Sequence, residues 1–114
     1  TWCPPCRQEM PDLDALHRSL APDGIAVAAV SLDTDLNLVR EFVRTHGLSF
    51  PQYRMSDPAH ARLHYGVESL PQTLVLRPGG VVQERIRGPR TWGDAVWADR
   101  LRRMAMSVPG ADVR

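Results

Sequence analysis

The chain has no lysine; all fourteen of its basic residues are arginines. We read this first as codon bias and only distantly as a sign of arginine-specific recognition. Set against thirteen acidic residues, the arginines leave a formal net charge of +1. That balance removes the bulk field through which a nucleic-acid or anionic-membrane binder gathers its partner. Long apolar runs are missing as well, so no stretch of the 114 residues is suited to span a bilayer as a helix. Cysteine is scarce: Cys3 and Cys6 are the only two. One bridge across two residues closes too small a loop to staple a fold, which excludes a disulfide scaffold. Repeats, low-complexity tracts and interdomain linkers are absent, and the length suits one domain with one core. The first residue is Thr1 rather than methionine. From this we expect a processed product or a fragment, with any signal peptide or membrane anchor upstream of Thr1.

The chemistry concentrates in Trp2-Cys3-Pro4-Pro5-Cys6. Pro4 and Pro5 suit the first positions of a helix, where a missing N–H costs little. Cys3 then falls near the N-cap and Cys6 one turn on, with Cα atoms on the order of 5 Å apart, within disulfide reach. Free N–H groups and the positive dipole end at a helix start favour a thiolate. The spacing therefore reads as a redox dithiol. The competing readings are a structural disulfide and half a zinc site completed by His60 and His64, which have i, i+4 spacing. Cys6 and His60 are too far apart in sequence for a short zinc finger. Glu9, one turn beyond Cys6, is either a proton donor and acceptor for the sulfurs or a solvated glutamate on an amphipathic helix. Trp2 is suited to shield the dithiol and to offer partners a flat surface.

Further along, Met10, Leu13, Leu16 and Leu20 share one helical face, with a kink expected at Pro11 and an end by Gly24. Ile25–Leu32 reads as a strand covered on both faces. Asp33 and Asp35 are cap candidates for a second helix that stops at Gly47. A short strand within 49–55 and a short helix over 58–65 follow. The runs 73–76 and 81–86 form an antiparallel hairpin around Pro78-Gly79-Gly80. A last helix is expected over Trp92–Met106, and 107–114 reads as a tail. The order α-β-α-(β)-α-β-β-α gives a sheet between helices. His17, His46, His60 and His64 read as surface or packing residues.

On these residues the chain resembles the TlpA/ResA/DsbE-type thiol–disulfide oxidoreductases of the thioredoxin superfamily. The resemblance rests on WCPPC followed by Arg7-Gln8-Glu9-Met10-Pro11, and on Gly66-Val67-Glu68-Ser69-Leu70-Pro71-Gln72-Thr73. Phe50-Pro51, Gly79-Gly80 and Gly88 also fall in the family pattern, whereas Ser69, Gln72 and Arg77 depart from it. It implies a thioredoxin-like three-layer α/β/α sandwich over 1–106, lacking the strand that the family places before the active-site helix. It implies catalysis by Cys3 as attacking sulfur and Cys6 as resolving sulfur, with Glu9 beside them. Substrate would be met by Trp2, Pro4, Pro5, Leu70 and a cis-Pro71, with no metal or organic cofactor. The implied partners are protein thiol/disulfide substrates and an upstream electron donor, in the bacterial cell envelope, with cytochrome c biogenesis as the setting. A reading of another class is a non-catalytic dithiol binding module or metallochaperone, which would not turn over.

Overall fold

Two prolines start the first helix, α1 (Pro4–Leu20), at the positions where no intrahelical N–H bond is lost. The structure is a computed structural model that describes residues 1, 3–55 and 57–106. Trp2 and the expected tail 107–114 therefore lie outside the described residues. After α1 comes a single 3₁₀ turn (Ala21–Asp23), which Gly24 closes at φ +76°. The remaining elements are β1 (Ala29–Ser31), α2 (Leu36–His46), β2 (Gln52–Arg54), α3 (Pro58–Tyr65), β3 (Gln72–Leu76), β4 (Val82–Arg87) and α4 (Ala95–Met106). Asp35 caps α2 by accepting from the Asn37 N–H at 2.9 Å, and Asp57 caps α3 by accepting from Ala59 N–H at 3.0 Å. Both helices end on a left-handed glycine, Gly47 and Gly66.

The strands form two separate two-stranded sheets. In one, β1 runs parallel to β2 with Ala29 opposite Gln52; in the other, β3 runs antiparallel to β4 with Gln72 opposite Arg87. Val75 and Ile86 face a core built from Leu16 and Leu20 of α1, Trp92, and Trp97 and Leu101 of α4. Glu84 points the same way and takes Arg100 of α4. The neighbouring Arg85 points to the opposite face and donates to the Tyr65 carbonyl at the end of α3 at 2.7 Å. Helices α1 and α4 thus cover one face of this sheet, and the end of α3 meets the other through Arg85. Between the two sheets lies an apolar slot of about 540 Å³, walled by residues such as Val27, Val30, Phe42, Leu74 and Leu76.

Three expectations need correction. Only Ala29–Ser31 of the run 25–32 forms a strand, and Val30 is 56% exposed rather than covered on both faces. Among the described residues β1 pairs only with β2, which leaves its other edge uncovered. The last helix begins at Ala95, not Trp92, because Thr91-Trp92-Gly93-Asp94 forms a turn in which the Thr91 hydroxyl donates to Asp94 Oδ2 at 2.7 Å. Asp33 is not a cap: it is 2% exposed and accepts from Ser31 Oγ and from the Thr1 hydroxyl and ammonium.

A second buried carboxylate ties α1 to the β1–β2 half. Asp14 Oδ1 accepts from both the N–H and the hydroxyl of Ser49 at 2.7 Å, and Oδ2 meets Arg18 at 2.8 Å. Burial pushes the Asp14 carboxyl up, but the Ser49 donors and Arg18 outweigh it and hold it below its ordinary value. Arg18 is mostly exposed, so the Ser49 bonds carry most of the effect. Asp14→Ala is expected to cost about 1.5–3 kcal/mol at neutral pH, measured by denaturant unfolding. Because the folded-state value is depressed, this contribution is complete above the unfolded pKa, about 4, and fades as pH falls through the folded one. A wild-type/variant gap that is the same at pH 7 and at about pH 2.5 would contradict this.

Candidate functional site

Cys3 takes the N-cap of α1 with extended backbone (φ −97°, ψ 104°), and its Sγ accepts from the Cys6 N–H at 3.3 Å. The two cysteines are joined in a disulfide with Cα atoms 5.2 Å apart. Pro4 and Pro5 are exposed just beyond Cys3. They contribute no N–H, so the Cys6 amide is the donor that reaches Cys3 Sγ. Arg7 lies 5.5 Å from the ring of Phe42, setting this end of α1 against α2.

Two hollows meet at Cys3. One is a groove of about 470 Å³ lined by Cys3, Pro4, Leu32, Arg62, Glu68 and Leu70, among others. The other is the apolar slot, which Cys3 shares with Cys6, Glu9, Leu70, Pro71 and Gln72. Cys6 lines the slot but is not part of the groove wall. The Leu70–Pro71 peptide bond is cis, and the Pro71 carbonyl accepts from the Gly88 N–H at 3.0 Å. The fold therefore gathers Cys3, Cys6, Pro4, Leu70 and Pro71 around one locality. Pro5 is exposed and outside both walls, and Trp2 is outside the described residues.

Glu9 is neither solvated nor unattached. It is 7% exposed, and its Oε2 accepts from the Arg90 N–H at 2.8 Å and from Trp92 Nε1–H at 2.9 Å. Sequence spacing had no access to these partners. Trp92 was visible only as an apolar residue. Arg62 and Glu68, both exposed in the groove wall, were also missed. Buried Asp33 lies close by, bonded to Thr1 two residues before Cys3. Burial pushes its carboxyl up, yet bonds from the terminal ammonium and the Ser31 and Thr1 hydroxyls hold it below the ordinary value.

The rings of His60 and His64 on α3 lie tilted against each other with centroids 4.2 Å apart. Among the described residues no group of three or more His, Cys, Asp or Glu side chains is placed to hold a metal. No helix among them is long and apolar enough to cross a membrane.

Residues 1–85 match the AhpC/TSA family. The thiol-disulfide oxidoreductase ResA of Oceanobacillus iheyensis is 32% identical over 91 residues, 80% of this chain and 47% of that protein. The thioredoxin-like protein YneN of Bacillus subtilis is 40% identical over 87 residues, 74% of this chain and 49% of that protein. The chain thus spans about half the length of the curated relatives it matches. A crystal structure of a thiol:disulfide interchange protein of the thioredoxin family from Chlorobium tepidum superposes with a TM-score of 0.69 at 31% identity, covering 93% of this chain and 74% of that one.

Access and electrostatics pull the two sulfurs in opposite directions. Cys3 is 7% exposed in the disulfide form and Cys6 is half-buried, so access favours Cys6. The N-cap position favours a thiolate at Cys3, which also opens onto the groove. In the reduced protein we expect Cys3 to alkylate faster with iodoacetamide, by roughly tenfold near pH 7, read by mass mapping. Equal rates, or a faster Cys6, would show that access wins.

Proposed function

The chain belongs to the AhpC/TSA family, with the thioredoxin-like fold of the TlpA/ResA/DsbE group, and we propose that it is a thiol–disulfide oxidoreductase acting on protein disulfides. The observation that carries the reading is the Cys3–Cys6 disulfide, with Cys3 at a helix N-cap and opening onto a groove that Leu70 also lines.

In the reductive direction the Cys3 thiolate attacks one sulfur of a partner disulfide. That S–S bond breaks, a Cys3–partner bond forms, and the other partner sulfur leaves as a thiolate. Cys6, deprotonated, then attacks Cys3 Sγ and displaces the partner. The partner departs as a dithiol with two electrons and two protons, and the Cys3–Cys6 disulfide remains. An upstream dithiol donor returns the two electrons. The exposed edges of Leu70 and Pro4 in the groove wall supply the surface on which a substrate segment would lie. On the resemblance, Trp2 and Pro5 would also meet the substrate, Pro5 from outside the groove wall. The resemblance supports a setting in the bacterial cell envelope, with disulfides of apocytochromes or other maturing metalloproteins as substrates.

Direction follows from the donors at Cys3. A thiolate there would have the Cys6 N–H and none from Pro4 or Pro5, so the reduced form gains less than at a helix start with a full set of N–H groups. A less stabilised thiolate makes a weaker oxidant. We expect a reductant with a potential closer to about −270 mV than to about −120 mV, measured by equilibration with glutathione buffers. A potential above about −180 mV would overturn the direction. With excess dithiol donor, the chain is expected to reduce many equivalents of a protein disulfide. Consumption of one equivalent and no more would instead mark a dithiol binding module.

A further inference from the structure

The segment between β4 and α4 touches both halves of the dithiol site. At one end the Gly88 N–H donates to the Pro71 carbonyl at 3.0 Å. At the other, the Arg90 N–H and Trp92 Nε1–H converge on one oxygen of Glu9 at 2.8 and 2.9 Å. The turn itself lies hard against α1: a Cβ on Gly93 would stand 3.1 Å from Asp12 Oδ1. Its own geometry is set by the Thr91–Asp94 bond. Trp92 is 2% exposed, packed with Leu16, Leu20 and Ile86, and its ring centroid is 4.5 Å from that of Trp97. Packing at this place needs an aromatic ring, but only an indole also supplies the N–H. An indole N–H buried without an acceptor would be costly, so Trp92 and Glu9 need each other.

We propose that Trp92 is a positioning residue for the dithiol: its indole N–H, together with the Arg90 amide, fixes the Glu9 carboxylate on α1 and so sets the charge environment of Cys3 and Cys6. The proposal rests on the oxidoreductase reading above. Glu9 shares the slot wall with both sulfurs. The Arg90 guanidinium donates instead to the Pro89 carbonyl at 2.8 Å. Held by two neutral donors, the carboxylate stays at one distance from the sulfurs. Released, it samples the wall they share, and a carboxylate nearer a thiolate disfavours it. The other charged groups around the dithiol and Glu9 are Arg7 and Asp12 on α1, Asp33 after β1, and Arg62 and Glu68 in the groove wall.

The test is Trp92→Phe, which keeps the ring and removes the donor, read as the pH profile of Cys3 alkylation by iodoacetamide in the reduced 114-residue chain. We expect the profile to move up by about half a pH unit, a roughly threefold slower reaction below its midpoint. In a Glu9→Gln background, which removes the charge but keeps an acceptor oxygen, Trp92→Phe should move the profile no further. An unmoved profile in Trp92→Phe, with or without a lowered melting temperature, would overturn the proposal and leave Trp92 as a packing residue. An equal shift in the Glu9→Gln background would overturn it too, since Trp92 would then act independently of Glu9. Alkylation needs no substrate, so the two readings fail separately. A wild-type chain that turns over no protein disulfide while the Trp92→Phe shift holds would remove the function and keep the positioning.

Discussion

Helix α1 holds the molecule together. The two half-sheets share no strand pairing among the described residues, and α1 grips both. It grips through buried carboxylates. Asp14 takes two bonds from Ser49, at the approach to β2, and Glu9 takes two from the segment before α4. Leu16 and Leu20 add the apolar contact with Ile86 and Trp92. Hydrogen bonds to a buried charge are worth more than neutral ones and are directional. They fix the rotation of α1, and with it the direction in which Cys3 presents its sulfur.

That constraint connects packing to chemistry. The first two turns of α1 carry the Cys3–Cys6 pair and the Glu9 anchor, so the dithiol and the anchor share one helix. Pro71 reaches it from the other half-sheet and is itself bonded to Gly88 in the segment that anchors Glu9. Cys3 and the cis-Pro71 segment are therefore referenced to one strap of chain.

The parts of this arrangement that were legible in the sequence were those with short-range causes. Asp35 and Gly47 bound the second helix through caps within a few residues, and the structure places its ends there. The hairpin announced itself through Pro78-Gly79-Gly80. The Cys3–Cys6 geometry followed from helix rise alone. What escaped had long-range causes. The length of β1 depends on neighbouring strands, so an apolar run overstated it. The donors to Glu9 are 81 and 83 residues away, beyond any spacing argument. The last helix was expected from Trp92, but Trp92 faces the core from a turn that precedes Ala95.

In the proposed exchange Cys3 is the sulfur that engages a partner and Cys6 the one that releases it. The direct measurement is to mix the reduced Cys6→Ser chain with a protein disulfide and resolve the products by non-reducing electrophoresis and mass mapping. With no resolving sulfur, a mixed disulfide through Cys3 should accumulate and disappear on adding a dithiol, while Cys3→Ser should form little. Failure of Cys6→Ser to trap a partner, or equal trapping by Cys3→Ser through Cys6, would contradict it.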